Sequence, residues 1–402
     1  MPFAVAESST TAAAAPRMNG FVALCGSARW ASRLTDLAAR TQDTSLQSRA
    51  AQHRHALELT LDRLAEPGAA HRTSLAEQRI AGFAQEAVRL AARLPAGPRA
   101  RLRDRLLAGL TGDATLIPTF HLLRTAACLR SQGFQVRFTG LADDLPQDLL
   151  VERDGVEAEV VCETISAEEG RQVHRGDWFA LVDAINPELQ TWLAAHPGRY
   201  LLKVTLPEGL AGADQAADLQ TRISTLLAEE KRQDICAQAV LKLDPLVLAG
   251  AQAADRLPAR LRAAFGPEAH LAVTATAGSV FVMAARAGRE NEIANAVARR
   301  AAEAATTRLS GQRPGILALF IEDLERAEWR GLRDSLELEG VVRRFLTTPA
   351  ARPVVTVSCT TRFEMLGAAP PDAVAEGALR FRNPAHPAAK LAALAPAILS
   401  SM

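Results

Sequence analysis

Residues 147–163 read Gln-Asp-Leu-Leu-Val-Glu-Arg-Asp-Gly-Val-Glu-Ala-Glu-Val-Val-Cys-Glu, two β-rich runs that meet at Asp154-Gly155. Asp-Gly supplies the two positive-φ residues of a tight turn whose twist matches its flanking strands, so the string predicts a two-residue hairpin. That turn fixes the register: Arg153 faces Val156, Val151 faces Ala158 and Leu149 faces Val160. Alternation then sorts the side chains. One face carries Leu149, Val151, Val156, Ala158, Val160 and Cys162, and belongs in a core. The other carries Asp148, Leu150, Glu152, Glu157, Glu159, Val161 and Glu163, most of it expected at the surface. Carboxylates gathered on one face repel unless water, arginine or a divalent cation neutralises them. Glu152, Glu157 and Glu159 lie nearest the turn, where acidic side chains also blunt an exposed edge. Asp148 and Glu163 lie at the other end of the hairpin, next to the protein body, and are the sharper candidates for a metal.

The rest of the chain sets the frame. Its 402 residues are 48% apolar and 23% charged, with formal net charge +1, enough for two or three packed domains. Charged or amide residues interrupt every candidate for the roughly 18-residue apolar run of a membrane span, so no membrane association is expected. Residues 1–19 read as a flexible leader, since no basic start precedes an apolar run. Cys25, Cys128, Cys162, Cys236 and Cys359 are widely spaced, which suits reduced core residues in a cytoplasmic protein better than a zinc site. Lysine is confined to Lys203, Lys231, Lys242 and Lys390, so abundant arginine reads as compositional bias. No phosphate-binding glycine loop is present, which removes support for ATP, GTP or dinucleotide cofactors.

Helical periodicity over residues 20–116 predicts three or four amphipathic helices. Within them Arg99, Arg101, Arg103 and Arg105 read as a solvated helix face. Residues 117–210 then form an α/β core: a helix over Thr119–Gln132, the segment Phe134–Phe138, the hairpin, a helical stretch Val173–Leu193 interrupted at Asn186-Pro187, and a strand over Tyr200–Leu206. Residues 211–383 form a C-terminal α/β part with strands at Val280–Ala284, Ile316–Ile321 and Val354–Cys359 and helices at Glu290–Arg308 and Leu324–Phe345. Whether its strands continue the hairpin's sheet is left open. Residues 384–402 read as a surface tail.

On these residues the chain resembles the PD-(D/E)xK nuclease-like superfamily. Its core runs helix, strand hairpin bearing Asp and then Glu-x-Lys, helix and strand, the order read from Thr119 to Leu206. The strings Pro146-Gln147-Asp148, Val161-Cys162-Glu163-Thr164-Ile165-Ser166 and Gly170-Arg171-Gln172-Val173-His174-Arg175 are similar to a branch whose third strand ends in Glu-Cys-Lys and runs into Ser, Gly-Arg and His-Arg. The resemblance implies an α/β fold with a helical N-terminal region, a restriction-endonuclease-like mixed sheet core with flanking helices, and an α/β extension. It implies a phosphodiesterase acting on nucleic acid, with Mg²⁺ or Mn²⁺ held by Asp148 and Glu163, and Glu159 as an accessory ligand. The cation would polarise the phosphate and lower the pKa of the attacking water. Lys203, read as a migrated lysine on the next strand, or His174 would aid that water. Arg171 and Arg175, on one helical face, would bind phosphate or pair with Glu168 and Glu169. Val161 and Glu163 stand where the family has Glu and Lys. That departure carries the other reading, an inactive nuclease-like domain that binds nucleic acid or a protein partner.

Overall fold

The computed structural model describes residues 14–65, 74–246, 260–261, 264–266, 269–276, 278–362 and 378–399. The chain is α/β and divides into two compact units, one of residues 1–40, 52–166 and 294–402, the other of residues 41–51 and 167–293. The second unit is thus inserted, in chain order, directly after the hairpin. No helix among the described residues is long and apolar enough to cross a membrane.

The first unit opens with helices Ala14–Cys25, Ser27–Thr41, Leu46–Arg54, Ala56–Ala65, Leu75–Arg93 and Ala96–Gly109, the third shared with the other unit. These are more and shorter helices than the periodicity predicts. Gly26, at φ +85°, breaks the first from the second, a conformation that L side chains avoid. Part of the expected leader is helix too, with Met18 buried in the core; residues 1–13 lie outside the described residues. No compact unit ends near residue 116. Phe21, Trp30, Phe83 and Phe120 pack edge-on at 5.7–6.1 Å, and the cluster they seed is continuous with Leu149, Val151, Ala158 and Val160 of the hairpin. The helical region is therefore a layer on the sheet.

That sheet holds six strands: β1 (Gln135–Arg137), β2 (Leu149–Arg153), β3 (Val156–Ser166), then β9 (Gly315–Glu322), β10 (Val354–Thr361) and β11 (Leu379–Arg382) in that spatial order. β1, β2 and β3 are antiparallel neighbours, β9 and β10 run parallel to β3, and β11 closes the edge antiparallel. The hairpin pairs Arg153 with Val156, Val151 with Ala158 and Leu149 with Val160, the register read from the sequence. Asp154 and Gly155 sit at φ +51° and +75°, as the turn requires. The helix Ile293–Arg308 makes the crossover into β9. The expected helix Leu324–Phe345 is two, Arg326–Asp334 and Glu337–Leu346, parted at Leu336, which adopts φ +57°. The expected surface tail is not one: Leu394 and Ile398 are buried in the same core, and the Asn383 N–H donates to the Val355 carbonyl at 2.9 Å.

The second unit has its own mixed sheet, in the order β5 (Gln233–Ile235), β6 (Val240–Pro245), β4 (Arg199–Leu206), β8 (Ser279–Ala287), β7 (His270–Thr276). Helices Arg175–Ala195 and Ala213–Ala228 pack on it around Trp178, Leu202, Phe281 and Ile223. The break expected at Asn186-Pro187 is absent. The helix continues through Pro187 because its apolar stripe, Trp178, Leu181, Ile185 and Leu189, is buried, and that burial outweighs one lost backbone bond. Of the C-terminal strands, β9, β10 and β11 continue the hairpin's sheet, whereas β5 to β8 belong to the other.

The turn geometry carries a prediction. Gly155→Val, which forces a β-branched side chain to φ +75°, is expected to lower stability by ~1–2 kcal/mol. Asp154→Gly is expected to leave it within a few tenths. Urea unfolding midpoints read both, and an unchanged midpoint for Gly155→Val would refute the turn assignment.

Candidate functional site

Asp148 precedes β2 and continues its ladder, its N–H donating to the Val160 carbonyl at 3.0 Å. That places its carboxylate beside β3 at the end of the hairpin away from the turn. The side chain is 3% exposed. Its Oδ2 accepts from the Cys162 N–H at 2.8 Å and from Arg308 Nη2 at 2.6 Å, and its Oδ1 accepts from Arg105 Nη1 at 3.0 Å. Glu163 lies two residues beyond Val161 on the same face of β3. Its Oε2 accepts from Arg308 Nη1 at 2.9 Å, and its Oε1 from Arg300 Nη2 at 3.1 Å.

Arg308 is the hub of this arrangement. Its Nε donates to the Pro146 carbonyl at 3.0 Å and its Nη1 also to the Cys162 carbonyl at 3.3 Å. Every guanidinium nitrogen is therefore engaged, with two carboxylates and two backbone carbonyls. Arg300 and Arg308 stand two turns apart on the crossover helix, which lays both against the carboxylate face of β3. Arg105 comes from the N-terminal arginine run. Arg101 of that run donates through its Nε to the Leu141 carbonyl at 2.7 Å, while Arg99 and Arg103 are exposed, as expected of a solvated face, and Arg105, also exposed, reaches Asp148.

Glu159 is buried rather than exposed near the turn. Its Oε2 accepts from the Ser310 N–H at 2.8 Å and its Oε1 from the Ser310 hydroxyl at 2.6 Å, pinning the loop that follows the crossover helix. Val161, expected from the sequence to stand where the resemblance would put a Glu, is fully buried. A divalent cation of this class needs several converging oxygens that are not already committed to protons. Here two carboxylates face three guanidiniums, and Glu159 serves a loop. Among the described residues no group of three or more His, Cys, Asp or Glu is placed to hold a metal ion. The donor set does not suit a resident cation.

The other expected site residues lie in the second unit. Lys203 is on β4, in the other sheet, with its Nζ 3.1 Å from Asp244 Oδ2. The strand beside β3 is β9, so the reading of Lys203 as its neighbour fails on topology. His174 stands at the N-terminal boundary of the helix Arg175–Ala195 without a side-chain capping bond, its Nδ1 3.6 Å from Asp177 Oδ2. Arg171 precedes that helix instead of sharing a face with Arg175. It is buried and paired with Glu168, whose other oxygen accepts from the Arg175 N–H at 2.9 Å. Cys162 is no nucleophile, because burial, and then the charge of Asp148, hold its thiol far above the usual range. His121, packed in the adjoining core, is lowered to about 4 by burial, and so stays neutral with Nε2 2.9 Å from the Ala318 carbonyl.

A second polar cluster gathers where the parallel strands β3 and β9 end. Asp323, at φ +58°, takes both its oxygens to Arg54 Nη1 at 2.8 Å and accepts the Ser166 hydroxyl at 2.7 Å. Beside it Glu322 accepts the Thr115 hydroxyl at 2.9 Å. Burial, with the negative charge of Asp323 and of Glu58, raises Glu322 from 4.5 to about 7 against the opposing pull of Arg54.

No family model, curated protein or solved structure matches this chain.

Two outcomes are expected. Arg308→Met leaves Asp148 buried beside Arg105 alone and Glu163 beside Arg300, and should cost on the order of 3 kcal/mol in urea unfolding; a loss under about 0.5 kcal/mol, the level of an exposed pair, would contradict this account. For Glu322, the folded chain keeps a proton that the unfolded chain releases above 4.5, so stability should fall as pH rises from 4.5 to about 7. Glu322→Gln should flatten that fall, with a larger gain in melting temperature at pH 8 than at pH 5.

Proposed function

We propose that the first unit is a nuclease-like core that has exchanged its cation for an arginine and works by binding rather than by cleavage. Support for a nuclease-like core comes from its element order: the helix Ile117–Ser131, the hairpin, the crossover helix Ile293–Arg308 and the parallel strand β9. The second unit occupies the link between hairpin and crossover helix. The observation that carries the loss of chemistry is the Arg308 guanidinium, seated between Asp148 and Glu163 and against the Cys162 carbonyl. A carboxylate pair and a carbonyl are the donors a hard cation would take, and here they bind a fixed positive charge instead. An arginine there supplies charge balance but no ionisable water, so the step that makes hydroxide near neutral pH is missing.

The metal-dependent phosphodiesterase reading keeps one argument, the convergence of Asp148 and Glu163 at the end of the hairpin. It requires that Arg308 leave two carboxylates and two carbonyls together. Five free cysteines accord with a protein of a reducing compartment such as the cytoplasm.

The test is a cleavage and binding assay on the full chain with duplex DNA, single-stranded DNA and RNA. With Mg²⁺ or Mn²⁺ each substrate is expected to stay intact, for the wild type and for Asp148→Ala alike. Divalent-dependent cleavage that disappears in a folded Asp148→Ala would overturn the proposal. Mobility shifts in EDTA then read the binding role; no shift with any of the three assigns that role to a protein partner.

A further inference from the structure

A strand at the edge of a sheet presents unpaired backbone groups, and proteins ordinarily keep such strands short, charged or interrupted so that copies do not pair. Among the described residues the two sheets have four edges, and three follow that rule. β1 is three residues long and ends in Arg137, β11 is four long and holds Arg380 and Arg382, and β5 is three long with Asp234 at its centre. The fourth edge, β7 in the second unit, does not. It runs seven residues, His-Leu-Ala-Val-Thr-Ala-Thr, without an acidic residue, lysine, arginine or proline.

β7 pairs with β8 in unbroken register, from His270 opposite Ala285 to Thr276 opposite Ser279, so no bulge turns this edge away. Among the described residues the backbone of Leu271–Thr276 hydrogen-bonds only to β8, which leaves the groups of every second residue facing outward without a partner. Val273, midway along the strand, is 43% exposed, and Ala275 on the same face is exposed too. On the other face Ala272 and Thr274 are buried, and the Thr274 hydroxyl donates to Asn186 Oδ1 of the helix Arg175–Ala195 at 2.8 Å. The strand is thus held extended before anything meets it.

We propose that β7 is where two copies of this chain join, antiparallel and about a two-fold axis at Val273, so that their two five-stranded sheets become one. The uncharged sequence is what self-pairing requires. This register sets His270 opposite Thr276, Leu271 opposite Ala275, Ala272 opposite Thr274 and Val273 opposite its own copy, with no like charges facing each other. It engages all seven residues; a shift by two engages fewer, and a shift by one sets the buried face of one strand beside the exposed face of the other. A second copy brings its strand already formed, whereas an extended segment of another protein would first have to be ordered, and that cost favours the copy. One strand from each side makes a small contact, at the low end of specific interfaces, so the dimer forms and comes apart with concentration.

Sedimentation velocity of the full chain across roughly 1–200 µM, where a small interface dissociates, tests this. The wild type is expected to pass from monomer toward dimer. Val273→Lys sets two ammonium groups across the axis and Val273→Asp two carboxylates; each should weaken association by about tenfold or more, and an equimolar mixture of the two should restore it. Because Val273 is exposed, both variants should melt with the wild type at the lowest concentration, which shows that the fold is intact. Amide hydrogen exchange over residues 270–276 of the wild type should slow as concentration rises. The proposal is overturned if the wild type stays monomeric throughout, if exchange in that strand is independent of concentration, if either charged variant associates as the wild type does, or if the mixture of the two folded variants fails to associate.

Discussion

A carboxylate as buried as Asp148 cannot stay charged in a protein interior unless something opposite in charge is fixed beside it. In this fold that partner is Arg308, and the neighbouring structure follows from the need to bring it there. Arginine suits the position because its five N–H groups point in set directions within one plane. Lysine could satisfy one carboxylate, but not two together with the carbonyls of Pro146 and Cys162. The guanidinium thereby ties the approach to β2, the middle of β3 and the crossover helix into one knot.

Geometry elsewhere serves that knot. The Asp-Gly turn sets a register in which Asp148 and Glu163 fall on one face of the hairpin. Parallel pairing of β3 with β9 requires a crossover, and the crossover helix covers that face with Arg300 and Arg308. Ser310, just past the helix, is fastened by Glu159, which holds the chain as it turns into β9. Four of the five carboxylates on the hairpin's acidic face thus meet an arginine: Asp148 and Glu163 at the knot, Glu157 at 2.7 Å from Arg313, and Glu159 at 3.8 Å from it. The acidic stripe is charge-balanced mainly by residues far away in sequence.

This explains what was legible in the sequence. Turn chemistry and alternation are local, so the hairpin, its register and its core face could be read directly. The fate of the acidic face could not, because the arginines that neutralise it lie about 140 to 160 residues later or about 40 earlier. Lys203 and His174 failed for the same reason. The helix and strand that follow the hairpin in sequence have the expected type but build another sheet, and only the pairing of β3 with β9 reveals the insertion. The end of the chain, whose prolines suggested a tail, is held by the buried Leu394 and Ile398. Arg300 and Arg308 carried one signal, a spacing of two helical turns on a helix that was itself predicted.

The central claim, that an internal guanidinium stands where a cation would, is tested most directly by Mn²⁺ titration of the purified chain at neutral pH, followed by the electron paramagnetic resonance signal of free Mn²⁺. The account predicts that the signal keeps its full amplitude with the wild-type protein present. Loss of that signal on adding wild-type protein, and its return with a folded Asp148→Asn, would contradict it.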